Sequence, residues 1–287
     1  MSAGLAVSNI AWEPAEEAEV ARAMSDLGVR FVEIAPTKVF DDPTDVSDRA
    51  LREYLGFWED HGISVVAFQS MLFGRPDLSI FGDAASRGLT VGRLGAFIDL
   101  AGRMGASRLV FGSPRNRRRP DGVEEVVVRA QAIEVFRELG RRADDAGVIF
   151  CIEPNPPQYG CDFVTTAAEG ASLVREVATA GFGLHLDVAG MTLAGDVPAD
   201  AIRADADILC HYHASAPELG PIEDVVVDHA SAFAALREVG YRHHVSIEMR
   251  PGDPGSGARR VREAVELVRH HADAAGLDLG TKAGGAR

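Results

Sequence analysis

Positive charge is scarce in this sequence: 29 Lys and Arg stand against 43 Asp and Glu, a net charge of −14. Such a surface repels phosphate backbones unless a local basic patch compensates. The one basic cluster, Arg115 to Arg119, is too short for a nucleic-acid tract and reads either as a solvated loop or as a contact for an anionic substrate group. A nucleic-acid partner is therefore excluded. Long hydrophobic runs are missing too. No stretch approaches the roughly 18 apolar residues a membrane span requires, and Met1 to Trp12 lacks the basic and then apolar order of a signal peptide. Cysteine is sparse and odd in number (Cys151, Cys161, Cys210), with no C-x-x-C spacing. Reduced thiols in a cytoplasmic protein follow as the simplest expectation. Finally, no G-x-G-x-x-G turn follows the first apolar run, where Ile10 is succeeded by Ala11, Trp12, Glu13 and Pro14. That absence argues against an open dinucleotide-binding sheet.

What is present is a regular alternation of short apolar runs with longer amphipathic stretches. Strands are expected at Leu5 to Ile10, Arg30 to Ile34, Ser64 to Phe68, Arg108 to Phe111, Ile149 to Ile152, Gly183 to Leu186, Ile208 to Tyr212 and His244 to Ile247. Between them lie helical patterns such as Ala15 to Leu27, Asp48 to His61, Val91 to Met104, Val123 to Ala146 and Ala167 to Ala178, with apolar residues near the helical period. Gly28, Gly62, Gly147 and Gly240 each stand where a helix would end and a strand begin. Strands separated by helices of this length must pair in parallel. Eight such units favour a closed (β/α)8 TIM barrel over an open sheet. The 287 residues suit one such domain, taken as 1–275, followed by a Gly-rich, patternless tail over 276–287.

Barrel active sites form at the C-terminal ends of the strands. Four consecutive strands end in ionisable residues: Glu153, Asp187, His213 and Glu248, separated by 34, 26 and 35 residues. Each interval is about one βα unit, which places the four on neighbouring strands around half the barrel. Any one of them alone reads as a helix cap or a surface ion pair. Together they suggest a cation, because buried carboxylates are costly unless paired or coordinated. Three carboxylates and one imidazole form a mainly oxygen site that favours Mn²⁺ or Mg²⁺, with Co²⁺ or Zn²⁺ also able to occupy it. The period of 2 puts Cys151 a layer below Glu153, and likewise His185 below Asp187 and His211 below His213. His185 and His211 are therefore expected to support the ligands or contact substrate rather than bind the metal. His61, His229, His243, His244, His270 and His271 fall in or beside helices and loops and are expected to be mostly solvated, with His229 near the rim.

The segments CIEPNPPQYGCDF (Cys151 to Phe163), GLHLDVAGM (Gly183 to Met191), HYHASAPELG (His211 to Gly220) and VSIEM (Val245 to Met249) resemble the xylose-isomerase-like barrel superfamily. Within it the chain looks most like the sugar phosphate isomerase/epimerase group, over nearly its whole length. That resemblance implies a divalent metal, often Mn²⁺, on Glu153, Asp187, His213 and Glu248, with Glu153 and Glu248 also exchanging protons on opposite faces of a bound sugar. It further implies a small, sugar-like substrate and an isomerase or epimerase working through a metal-stabilised enediolate. Dehydratases of the inosose or dehydroshikimate type share the site, and a barrel that binds sugar or metal without turnover is the non-catalytic alternative. The chain departs from ketose 3-epimerases at Gly190, where they carry a substrate-binding His, and at Glu218 and Leu219, where they carry an Arg. Lys38, Gln69 and Arg117, on segments resembling pocket loops of relatives, are expected to contact substrate, together with His185, His211 and Glu218. A homo-oligomer is compatible with this type of barrel.

Overall fold

The computed structural model describes residues 3–222 and 226–280. Eight parallel strands close on one another in chain order: β1 (Gly4–Ser8), β2 (Phe31–Ile34), β3 (Ser64–Phe68), β4 (Arg108–Phe111), β5 (Ile149–Ile152), β6 (Phe182–Asp187), β7 (Leu209–Ser215) and β8 (His244–Glu248). β1 pairs with β8 through Gly4 to Val7, which completes the ring. The helices are α1 (Glu17–Asp26), α2 (Pro36–Val39), α3 (Asp48–Asp60), α4 (Ala84–Met104), α5 (Glu125–Asp145), α6 (Ala167–Val177), α7 (Val188–Ala194), α8 (Pro198–Ala204), α9 (His229–Glu238) and α10 (Gly257–Ala275). The expected (β/α)8 architecture is the one observed. Among the described residues no helix is long and apolar enough to cross a membrane.

Local chemistry sets the element ends. Ser47, Asp83, Thr166 and Asp228 cap α3, α4, α6 and α9 by accepting a backbone N–H three residues on, which satisfies donors the first turn leaves orphaned. Gly28, Gly62, Gly147 and Gly240 leave their helices at φ between +67° and +70°, a region glycine enters without steric cost. β7 runs on to Ser215, beyond the expected Tyr212. Its polar residues His213 and Ser215 are buried inside the barrel, so polarity there marks the interior and not the strand end.

Two cores result. The larger lies between strands and helices and includes Trp12, Trp58, Phe97, Phe136 and Phe233. The smaller, formed by Ala6, Val66 and Ala67 with Phe31 against them, fills one side of the barrel interior. The other side of the interior is polar, holding Glu33, His185, His211, His213 and Ser246, all at most 1% exposed.

A bulge in β7 helps to fill the floor. Leu184 pairs with Leu209 but His185 pairs with His211, leaving Cys210 as an extra residue. Its Sγ lies 3.2 Å from that of Cys151 on β5, and the three cysteines are free thiols. The side chain of Arg108 closes the floor, its Nε donating to the Cys210 carbonyl at 3.0 Å.

Two expectations change here. His229 and His271 are buried, 1% and 9% exposed, with ring centroids 5.7 Å apart between α9 and α10. Their helices turn these positions inward, and His271 shares the apolar face of Val261, Val265, Val268 and Ala272, which a reading by residue type passes over. Of the expected tail, Leu277 and Leu279 are buried and the Ala3 N–H donates to the Asp278 carbonyl at 2.9 Å. The ordered chain thus extends past residue 275, and 281–287 lie outside the described residues.

The crossing of Cys151 and Cys210 is possible because β6 carries Gly183 between them. A Cβ on Gly183 would come within 2.4 Å of Cys210 Sγ and 3.1 Å of Ile149 Cγ2. Gly183→Ala should therefore destabilise the chain by about 1–3 kcal/mol in urea unfolding, the usual cost of overpacking. Adding Cys210→Ala in the same chain should recover most of that loss.

Candidate active site

Four rim residues converge where the strands end. Glu153 follows β5, and its N–H donates to the Phe111 carbonyl at the end of β4. Its carboxylate occupies space left by a glycine, since a Cβ on Gly112 would fall 2.1 Å from Glu153 Oε2. Asp187 ends β6 and caps α7. Its Oδ1 accepts from the Gly190 N–H at 2.6 Å, and its Oδ2 accepts from Ser215 Oγ at 2.5 Å. His213 on β7 and Glu248 on β8 meet with Nδ1 and Oε2 3.2 Å apart. One donor atom each from Glu153, Asp187 and His213 lies within 4.8 Å of the others. This oxygen-rich set with one imidazole could hold a divalent metal ion.

The electrostatics describe a group of acids short of positive charge. Burial, with Glu248 and Asp187 adding repulsion, lifts Glu153 from 4.5 to about 8. Burial and Glu248 lift Asp187 from 3.8 to about 6. For His213 burial opposes the charge, but the carboxylates of Glu33 and Glu248 outweigh it and carry the imidazole well above its usual range. His185 is driven the other way by burial and by its histidine neighbours. A bound cation would replace the protons on the crowded carboxyls. The donor chemistry fits one.

Beneath this rim lies a carboxylate that sequence reasoning missed. Glu33 on β2 is fully buried, with Oε2 2.9 Å from His213 Nε2 and 3.3 Å from His211 Nε2. The available signal was a lone acid inside the apolar run Phe31-Val32-Glu33-Ile34, at the parity that faces the barrel interior.

Above the rim a cavity of about 850 Å³ opens, lined by Gln69, Phe73, Arg115, Asn155, Tyr159, Glu218 and the carboxylates of Glu153, Asp187 and Glu248, among others. Gln69 and Glu218, both expected to contact substrate, line it. Gln69 is anchored through Nε2 to Ser8 Oγ at 2.7 Å. Glu218 sits at φ +58°, and its backbone N–H donates to Tyr159 Oη at 2.9 Å.

Four other expected contacts lie elsewhere. Lys38 turns away from the cavity and donates to the carbonyls of Asn9 and Trp12, tying α2 to the loop after β1. Arg117 is fully buried, donating to the Phe111 carbonyl at 3.2 Å and to Cys161 Sγ at 3.4 Å, while its neighbour Arg115 faces the cavity. A short 3-10 turn over Pro114–Arg117 produces this swap. His185 and His211 are fully buried beneath the rim residues, as their parity implied, and stand outside the cavity lining.

The raised carboxyls make a pH prediction. Between about 4.5 and 8 the folded chain holds a proton on Glu153 that the unfolded chain has released, so stability falls as pH rises through this window. The thermal midpoint of the metal-free protein should drop by several degrees from pH 5 to pH 8. Glu153→Gln should flatten that slope.

The barrel has clear relatives. A profile of the family described as "Xylose isomerase-like TIM barrel" matches residues 21–271. An L-ribulose 3-epimerase of Methylomonas sp. (strain DH-1) is 29% identical over 120 residues, an alignment that spans 42% of each protein. Among solved structures, an L-ribulose 3-epimerase superimposes with a TM-score of 0.79 at 18% identity, covering 95% of both chains. D-psicose 3-epimerase from Clostridium cellulolyticum H10, crystallised with D-tagatose, gives 0.76 at 18% identity over 94% of this chain and 99% of that one. The 3-keto-D-glucoside 4-epimerase of E. coli gives 0.76 at 18% identity over 94% and 100%. At such identities the superpositions speak for the fold, and the profile match speaks for descent. The chain belongs to the xylose isomerase-like TIM barrel family.

Proposed function

We propose that this protein is a divalent-metal-dependent epimerase or isomerase of a small polyhydroxylated carbonyl compound, a ketose being the substrate class its named relatives favour. The observation that carries the reading is the convergence of Glu153, Asp187, His213 and Glu248 at the mouth of a cavity large enough for a sugar. Glu153, Asp187, His213 and Glu248 would hold the metal. Mn²⁺ is the preferred ion on donor chemistry, with Mg²⁺, Co²⁺ or Zn²⁺ able to substitute. When bound, it supplies Lewis-acid polarisation of a carbonyl oxygen and its neighbouring hydroxyl.

The protein's own groups then account for the proton traffic. Glu153 and Glu248 project from β5 and β8, on either side of Asp187 and His213, so a sugar seated between them meets one carboxylate on each face. One removes the proton from the carbon beside the carbonyl, and the other returns a proton from the opposite face, which inverts that centre. Gln69 and Tyr159 offer neutral hydrogen-bonding groups to hydroxyls along the cavity wall. A reducing, cytoplasmic setting suits the three unpaired cysteines.

The test is turnover with Mn²⁺ on a panel of ketoses in D₂O. One deuterium should appear at the inverted carbon, and Glu153→Gln or Glu248→Gln should lower kcat by about 10²–10⁴-fold, as expected for loss of a general acid or base. Loss of water from the product instead would assign a dehydratase. A protein that binds no divalent metal in calorimetry would sink the reading altogether.

A further inference from the structure

Among the described residues Glu33 is the one carboxylate placed entirely inside the barrel, and the proposed reaction gives it no proton to move. It is 0% exposed and does not line the cavity. A buried carboxylate persists only where hydrogen bonds or cations compensate its lost hydration. Its compensation here is two imidazole nitrogens, His213 Nε2 at 2.9 Å and His211 Nε2 at 3.3 Å. An ionised carboxylate has no hydrogen to give, so both Nε2 atoms must donate. That fixes His213 with its hydrogen on the side of the barrel floor and leaves Nδ1 facing the rim, where Glu248 Oε2 lies 3.2 Å away.

We propose that Glu33 is a positioning residue that holds His213 in the tautomer and ring orientation needed to offer Nδ1 to a metal at the rim, with His211 bracing Glu33 from below. The inference rests on the metal-centre reading above. Glu33 touches neither substrate nor ion and acts only through His213. The arrangement is built across the barrel: β2 supplies the carboxylate and β7 both imidazoles, so closure of the sheet is what brings them together. The bulge at Cys210 adds to this, since it resets β7 so that His211 and His213 pair with His185 and Asp187.

The same pocket of imidazoles allows one competing assignment. Single nitrogens of His185, His211 and His213 lie within 4.8 Å of one another and could hold a second ion. Both ring nitrogens of His185 are buried with no hydrogen-bond partner. A metal held there through Nε2 of His211 or His213 would take a lone pair that Glu33 instead requires to be protonated, so in that form the two assignments exclude each other.

Glu33→Gln separates them. An amide keeps the shape but not the charge: at the position of Oε2, which faces both imidazoles, it presents either a weaker neutral acceptor or an N–H donor to both, so the hold on the His213 tautomer is loosened. We expect one Mn²⁺ per chain in the wild type by calorimetry. In Glu33→Gln we expect an affinity about 10–100-fold weaker, the usual effect of removing the partner of a metal-binding histidine. At saturating Mn²⁺ the KM for sugar should be unchanged. Nitrogen-15 NMR of the wild type loaded with diamagnetic Mg²⁺ needs no variant and should show His213 protonated at Nε2. Protonation at Nδ1 in that spectrum, equal Mn²⁺ affinity in the two proteins, or a stoichiometry of two with only the second ion lost in Glu33→Gln would each overturn the proposal. A wild type that binds no ion would instead remove the metal-centre reading on which it stands.

Discussion

The buried polar groups of the barrel interior are brought together by the closure of the sheet. A closed ring of strands turns every second side chain into a space that no solvent reaches from the sides. Carboxylates placed there cannot spread apart or hydrate separately. Glu153, Asp187 and Glu248 are therefore pressed together at the mouth, and their mutual repulsion is balanced from within by His213. An open sheet carrying the same residues would let them part.

The interior is divided lengthwise as well as by depth. Along β1 to β3 it holds small and apolar groups, Ala6, Val66, Ala67 and Phe31, with the polar Ser8, Glu33 and Gln69 two residues further along. Toward β5 to β8 it holds sulfur, imidazole and carboxylate. The apolar side packs as an ordinary barrel core. The polar side is satisfied through contacts between strands far apart in sequence, such as Glu33 with His213. Packing and chemistry thus draw on different parts of one ring, and the loops after β3 and β4 supply much of the wall of the cavity above the carboxylates.

Much of this was legible in the sequence because the relevant rules are local. Strands β3, β4 and β5 begin and end where their apolar runs do, and the four capping glycines sit at their expected breaks. The quartet Glu153, Asp187, His213 and Glu248 could be read because each is a polar residue closing an apolar run at or near the C-terminal end of a strand, although β7 continues two residues past His213. What could not be read depends on direction rather than on type. Lys38 and Arg117 are basic residues on rim loops, yet short helical turns point their charges at backbone carbonyls and at a thiol. Glu33 escaped notice for the opposite reason: a single acid within a strand gives no local hint that its partners lie on the far side of the barrel. His229 and His271 were concealed by their residue type, since His271 sits on the buried face that Val261, Ala264, Val265 and Val268 mark out along α10.

The bulge at Cys210 also bears on how such chains vary. β6 and β7 are out of step by one residue below the histidines and in step above them. A residue inserted or deleted before Cys210 would be taken up where the pairing is already irregular, leaving His211 and His213 in place. The same change between His211 and Ser215 would turn His213 outward, and a helix-facing residue would enter the ligand position. Length variation in descendants of this fold should therefore gather beneath the bulge, and the three-residue stretch His211-Tyr212-His213 should behave as an indivisible ruler for the site.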